Sequence, residues 1–433
     1  MGLIQTWAVR TFASLAVRDF RYLWVGSFAT QIGMWTQHVA QGWLAYDLTG
    51  SATFLGAVAL ARAGPSLVLT LPSGVLADRW NRRQIVIVSQ GLSMLNALAL
   101  ALLVIGDLVE PWHLVASGFV LGTTHSFNMP ARQSLVAQLA GPQFTANAVA
   151  LNAISFNTAR VLGPALAGVL IGVWGLAACF LVQAGSLLWG MIWTLAISDA
   201  AKVPAGRQRG SIWRNLLDGL RFMKESRAIS GLITIAAVPI LFGMIYMQLM
   251  PVFARDVLEV GPSGLGLLMS AVGAGSMAGA FIAAAVSYHP RKGIILLGAT
   301  AGLGGSIALF ASSQWLVVAL IALTLVGVTQ AISMAMNQTL LNLLTTNEYR
   351  GRMNSIYMMT WNFEPLVFLP AGLLADQAGA PFTTILAGCL VIASVLVIGA
   401  REHEIREFQD GDLAVPHRDE KRVLVPSGGN SAP

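Results

Sequence analysis

Twelve apolar runs, each about as long as a bilayer is thick, constrain this chain more than any other feature. They fall at 21–46, 52–76, 84–106, 112–130, 145–172, 175–198, 229–252, 263–288, 293–312, 315–343, 352–375 and 381–400. A bilayer offers no water to backbone N–H and C=O groups. A run of about 20 apolar residues therefore crosses as a helix that satisfies its own backbone. Clusters of Gly, Pro, Asn, Asp and Arg punctuate the runs. The expected fold is all-α and integral to the membrane, with 12 transmembrane helices. Charge content agrees: 11% of residues are charged, against about 25% in a soluble domain.

The net charge of +6 does not point to nucleic acid, because the cations form no single patch. They recur in short clusters between the runs. With both termini on one side, nearly all Lys and Arg fall on that side, Arg132 among them. Arg255 falls in a loop on the other side, and Arg62 and Arg160 fall within runs. Asp47, Asp107, Glu110, Asp256 and Glu259 lie on or near that other side. Positive charge marks cytoplasmic loops. Both termini are therefore expected in the cytoplasm, with the bilayer itself as partner.

The longest internal loop, 199–228, joins a polar linker to a segment in which Trp213, Leu216, Leu217, Leu220 and Met223 recur at helical spacing. An amphipathic helix on the membrane surface is expected there. A shorter one is expected in 1–20, with Trp7 and Phe12 dipping into the bilayer. The loop separates a six-helix half at 21–198 from another at 229–400. The tail, 401–433, is polar and expected to be disordered. The halves read as pseudo-repeats. Gln133-Ser134-Leu135 returns as Gln338-Thr339-Leu340 and Asn157 returns as Asn362, both 205 residues later. Cys179 and Cys389 both lie in apolar runs and read as packing residues; no metal site is expected.

Between the second and third runs stands G-V-L-A-D-R-W-N-R-R, from Gly74 to Arg83. Gly74, Asp78, Arg79, Arg82 and Arg83 match the loop motif G-x-x-x-D-[RK]-x-G-[RK]-[RK] of the major facilitator superfamily. Asn81 stands where that family has Gly, and Asn tolerates left-handed backbone angles. Residues 19–51, 128–153 and 160–168 also resemble a bacterial branch of the superfamily that contains enterobactin-type siderophore exporters and macrolide-type drug exporters. Arg160 to Gly168, R-V-L-G-P-A-L-A-G, is similar to the fifth-helix motif of drug–proton antiporters, with Ala167 in place of a Gly. The resemblance covers about 19–400. It implies a monomeric transporter of the bacterial inner membrane that exports drugs or siderophore-like small molecules by alternating access. It also implies proton entry as the energy source, with no cofactor. Asp78 would dominate a cytoplasmic gate built from Gly74, Asp78, Arg79, Arg82 and Arg83, and Gly163-Pro164 would bend helix five.

An ionisable side chain deep in a bilayer costs at least about 2.5–3.5 kcal/mol, so each needs a partner or a task. Arg62, Arg160 and Glu364 are such residues. Counting from the expected cytoplasmic ends, Arg62 lies about 21 Å deep and Glu364 about 18 Å. They are expected to pair, or to share a water cavity in which protonation of Glu364 drives a change of access. Arg160 binds an anionic substrate, pairs with an internal acid, or holds the helix-five bend through backbone carbonyls. Helix one carries a polar stripe of Gln31, Trp35, His38 and Gln41 that should face the cavity. His38 can titrate near neutral pH or simply hydrogen-bond. His125, Asn128, Asn337, Gln338 and Trp361 are further candidates for the cavity wall.

No Gly-rich phosphate loop ending in Lys-Ser or Lys-Thr is present, so ATP-driven transport has no support, and no constellation for an enzyme is present. A lipid transporter of the same fold, such as a lysophospholipid flippase, and a non-transporting sensor or scaffold remain as alternatives.

Overall fold

The computed structural model describes residues 12–198, 221, 223, 227–346 and 349–402; residues 70–72 and 74–79 are described by backbone alone. Among the described residues there is no strand. The helices are α1 (Arg18–Thr49), α2 (Ala52–Arg79), α3 (Arg82–Ile105), α4 (Pro111–Ala140), α5 (Thr145–Trp174) and α6 (Leu176–Leu195). Then come α7, which begins as Arg227–Leu241 and continues in shorter pieces, α8 (Gly261–Val286), α9 (Lys292–Ala311), α10 (Leu316–Leu344), α11 (Arg350–Ala378) and α12 (Ala380–Arg401). The expected surface helix in the long loop and the tail beyond residue 402 lie outside the described residues. So does most of the N-terminal segment, of which Ala13–Ala16 forms a short 3₁₀ turn.

The helix ends follow local chemistry. Gly50 closes α1 in the left-handed region at φ 61°, its N–H donating to the Tyr46 carbonyl at 2.8 Å. Asn81 is not left-handed, against expectation. It sits extended at φ −65°, and its side chain caps α3 by accepting from the Arg83 N–H at 3.0 Å. An N-cap favours Asn as strongly as a left-handed turn does. Pro111, Pro262 and Pro381 begin α4, α8 and α12, where a missing N–H goes unnoticed.

Helix four runs ten residues past its expected end. Pro130 lies inside it. A membrane helix tolerates proline where neighbouring groups absorb the freed carbonyl. Arg132 is therefore a residue of α4 and not a loop cation. Helix seven is broken instead: after Pro239 come a turn, the pieces Ile245–Gln248 and Met250–Val252, and a π-helical turn at Phe253–Val257.

Nine described helices are long and apolar enough on their own to cross a membrane; α1, α4 and α11 fall short. These three carry His38 and Gln41, His125 and Arg132, and Asn362 and Glu364. Their polarity has a local cause, because all of these side chains except Glu364 line the interior described below.

Helix α1 packs on α5 and α6, α2 on α4, and α3 on α4 and α6. In the second six, α8 packs on α10, and α9 on α10 and α12. Two seams join the sets, α2 on α11 and α5 on α8. Small residues let the backbones touch there. A Cβ added at Gly56 would lie 2.6 Å from the Phe368 carbonyl oxygen, and one at Gly266 would lie 2.5 Å from that of Pro164. Gly56→Leu should therefore destabilise the protein by about 1–3 kcal/mol through overpacking. The readout is a lowered melting temperature in detergent. Gly64→Leu is the control, because a Cβ there meets nothing within 4 Å. Equal melting of the two variants would refute the seam's tightness.

The end of the bundle opposite the basic loops, here the far end, is sealed across both sets. The Asp376 carboxylate of α11 accepts from Ser51 Oγ at 2.7 Å, the Ala52 N–H at 2.6 Å and the Thr53 N–H at 3.0 Å, at the start of α2. Tyr46 donates to Asp256. Arg255 pairs with Asp47 at 3.2 Å and reaches the Tyr46 carbonyl at 3.3 Å. At the same end, Gln248 donates to the Leu55 carbonyl at 2.7 Å, and Ser263 to that of Gly168 at 2.9 Å.

Candidate functional site

Two chambers lie beneath the seal. The central one, about 330 Å³, lies between the two sets of helices. It is lined among others by His38, Gln41, Arg62, His125, Gln248 and Trp361. The larger one, about 650 Å³, lies within the first six helices. Gln31, Arg62, Gln90, His125, Asn128, Arg132, Gln133 and Gln183 are among the polar residues that line it. It reaches Val136 and Val149, each one turn from the basic end of its helix. Arg62 and His125 line both chambers. Among the described residues, no Asp or Glu lines either.

Arg62 is brought into this interior by glycines. Gly118 and Gly122, one turn apart on α4, press against the α2 backbone. A Cβ at Gly118 would come 3.0 Å from the Val58 carbonyl oxygen, and one at Gly122 would overlap that of Arg62. The guanidinium then reaches His38 Nδ1 at 3.4 Å. Arginine can only donate, so Nδ1 accepts and the ring proton sits on Nε2.

The expected Arg62–Glu364 ion pair does not form. Helix α2 extends to Arg79, which leaves Arg62 seventeen residues, about 26 Å, from the basic end. Glu364 is the middle residue of the 29-residue α11, about 21 Å from the same end. The two are offset by nearly a turn. Glu364 makes no ion pair among the described residues; the charge whose field reaches it is that of Arg160, near the middle of α5. Tyr246, fully buried in broken α7, lies within the field of both, and its hydroxyl has no hydrogen-bond partner.

Arg160 joins the two sets. It donates to Gln330 of α10 at 3.2 Å and lies over the Trp35 ring of α1, 5.9 Å from its centre, while its Nε has no partner. Gly163 marks close helix approach. Its carbonyl accepts from Thr36 at 3.1 Å, and a Cβ there would lie 2.9 Å from the Ile32 carbonyl oxygen. Helix α5 runs unbroken through Pro164. Proline leaves the Arg160 carbonyl, four residues back, without its helical donor. Gly273 of α8 packs against that carbonyl, and Ser270 donates to that of Val161 at 3.1 Å. The Gly-Pro pair thus shapes the α5–α8 seam.

Of the other candidates, Gln31 and Asn128 line the larger chamber, Gln41 the central one, and His125 both. Trp35 is held between Arg160 and Phe156. Trp361 lines the central chamber and a small pocket that it shares with Asn337. Asn337 donates to the Leu232 carbonyl at 2.9 Å and so ties α10 to α7. Gln338 donates to Asn354 at 2.7 Å and lines none of the three cavities. In the basic turn, Arg82 donates to Gln138 at 3.3 Å. Arg83 caps the end of α6 through the Thr194 and Leu195 carbonyls at 3.1 and 2.5 Å. The side chains at Gly74, Asp78 and Arg79 lie outside the description, and with them the gate expected of Asp78.

Sequence reasoning passed over Arg132, Tyr246 and Asp376. Arg132 was hidden by reading Pro130 as a helix end. Tyr246 and Gln248 were visible as polar atoms in an apolar run. Asp376 had no local signal, since its partners lie more than 300 residues away.

A family model described as transmembrane secretion effector matches residues 9–424. The staphyloferrin A transporter of Staphylococcus aureus is 25% identical over 384 residues, covering 87% of this chain and 94% of that protein. The enterobactin exporter EntS of Shigella flexneri is 25% identical over 331 residues, covering 76% and 74%. Among solved structures, a POT family transporter in complex with a thioalcohol-conjugated peptide superposes with TM-score 0.72 at 13% identity, covering 90% and 96%. A bacterial homologue of the iron transporter ferroportin in its inward-facing state gives 0.69 at 15%, covering 88% and 98%. At these identities the superpositions show a shared fold alone.

Proposed function

The chain belongs to the transmembrane secretion effector family of the major facilitator superfamily, and on that premise we propose that it exports siderophore-like small molecules by proton-driven alternating access. It is a multi-pass membrane transporter and not an enzyme. The basic end faces the cytoplasm in this reading, with both termini there, in a bacterial inner membrane. This conformer is then the one that receives cargo from inside.

The observation that carries the proposal is an interior that holds arginines and side-chain amides and is sealed at the far end by contacts between the two sets of helices. Such a seal must break for cargo to leave, and a mid-depth carboxylate opposite an arginine is a suitable trigger. With Glu364 ionised, its attraction to Arg160 draws α11 toward α5. Protonation removes that attraction, and the sets are free to rock. The cargo class is supported by the named cargoes of the relatives, enterobactin and staphyloferrin A. The chambers' amides and arginines suit the polar groups of such solutes.

Cells loaded with enterobactin or staphyloferrin A should empty faster when they express this protein, and a protonophore should abolish the difference. Equal emptying with and without the protein overturns export of these cargoes. Faster emptying that survives the protonophore overturns proton coupling and leaves export standing.

A further inference from the structure

We propose that Arg62 and Arg132 together form the cargo site for a small polyanion that carries at least two oxygen anions, carboxylate or catecholate. The inference rests on the transporter reading and specifies its cargo by charge. Arg132 lines the larger chamber. No carboxylate or hydrogen-bond partner is found for it among the described residues. It lies seven residues from His125, two turns along the same face of α4, or about 10 Å. Arg62, His125 and Arg132 all line this one chamber, and the charges of both arginines reach the histidine. Arg62 has one hydrogen bond, to the neutral ring of His38.

The pseudo-repeat shows that the fold does not need a cation at this place. At the 205-residue offset, Arg132 corresponds to Asn337 and His125 to Gln330. In the second six helices those positions hold neutral amides with structural bonds: Asn337 to the Leu232 carbonyl, and Gln330 accepting from Arg160. The first six place two arginines and a histidine around an open chamber that no acid lines among the described residues. Buried charge without a counter-charge is costly. A transporter meets that cost when the counter-charge is the cargo. Gln31, Asn128, Gln133 and Gln183 add amide donors and acceptors for the hydroxyl and carbonyl groups between the cargo's anionic ends. The chamber volume lies within the usual range for small-ligand sites.

The test uses full-length protein in nanodiscs of neutral phosphatidylcholine, titrated calorimetrically with citrate and with enterobactin. Acetate and choline serve as monoanion and cation controls. At least one polyanion should bind more tightly than both controls. Arg132→Gln and Arg62→Gln should each weaken that binding roughly tenfold to a hundredfold, the loss of one charge-assisted contact, while Arg132→Lys keeps most of it. Arg132→Met replaces Arg132→Gln if the latter does not fold. Binding that is unchanged in the neutral variants overturns the site. So does binding of choline in preference to the anions. If the variants matter only in discs containing phosphatidylglycerol, the ligand is a lipid headgroup and the small-molecule assignment falls. If neither polyanion binds yet the protein still exports from cells, the polyanion site is wrong and the transporter reading survives.

Discussion

Glu364→Gln is expected to abolish gradient-driven accumulation of cargo in inside-out vesicles, by at least about tenfold in initial rate, equivalent to about 1.4 kcal/mol of lost drive. Exchange of labelled for unlabelled cargo across the same membrane should continue. Glu364 is the one mid-depth carboxylate among the described residues, at the centre of α11. Pro365 follows it, so the Trp361 carbonyl lacks its helical donor, which adds polarity beside the acid. Gln keeps the volume and the hydrogen bonds but cannot change charge. The helices should still rock, since exchange needs only that, but proton entry no longer biases the direction. Retention of full gradient-driven accumulation by Glu364→Gln would remove this residue from coupling. Loss of exchange as well would give it a structural role.

Asp376→Ala is expected to open the far end. Its carboxylate accepts three hydrogen bonds at the start of α2, from a helix that belongs to the other set. A carboxylate there satisfies N–H groups that the helix itself leaves unpaired, and it favours the positive end of the dipole. Loss of such a cap costs about 1–2 kcal/mol, or a factor of about 5–30 in the ratio of sealed to open forms. The measurement replaces both natural cysteines, Cys179 and Cys389, and places one at Ala45 on the far side of the central chamber. A membrane-impermeant maleimide applied from the far side should label it about 5–30 times faster in Asp376→Ala, on the same energetics. Asp376→Asn, which keeps part of the acceptor set, should fall between. Unchanged labelling would mean that Tyr46–Asp256 and Arg255–Asp47 suffice for the seal.

The helices were legible because a bilayer leaves the chain few choices. Apolar length and charged punctuation marked all twelve, and the bias of Lys and Arg grouped the loops. The errors arose where one signal carries two meanings. Proline can end a helix or sit inside a membrane helix, and Pro130 does the second. That misplaced Arg132, a cavity cation counted as a topology marker. Asn can take a left-handed turn or cap a helix, and Asn81 caps. Counting along each helix gives the depth of Arg62 and Glu364 but not the direction each side chain takes, and Arg62 turns to His38 instead. The field of Arg160 at Glu364, Tyr246 within the field of both, and Asp376 at the start of α2 depend on how the two sets of helices meet. Contacts between residues hundreds of positions apart leave no periodic trace in one sequence.

The most direct test of proton-coupled export is the proton movement that the cargo itself should drive. Liposomes containing the purified protein, loaded with cargo and a pH-sensitive dye at equal pH on both sides, should acidify inside as the cargo leaves. Acidification should be absent without protein and absent with Glu364→Gln. Cargo that leaves through the wild-type protein with no change in internal pH would contradict the account.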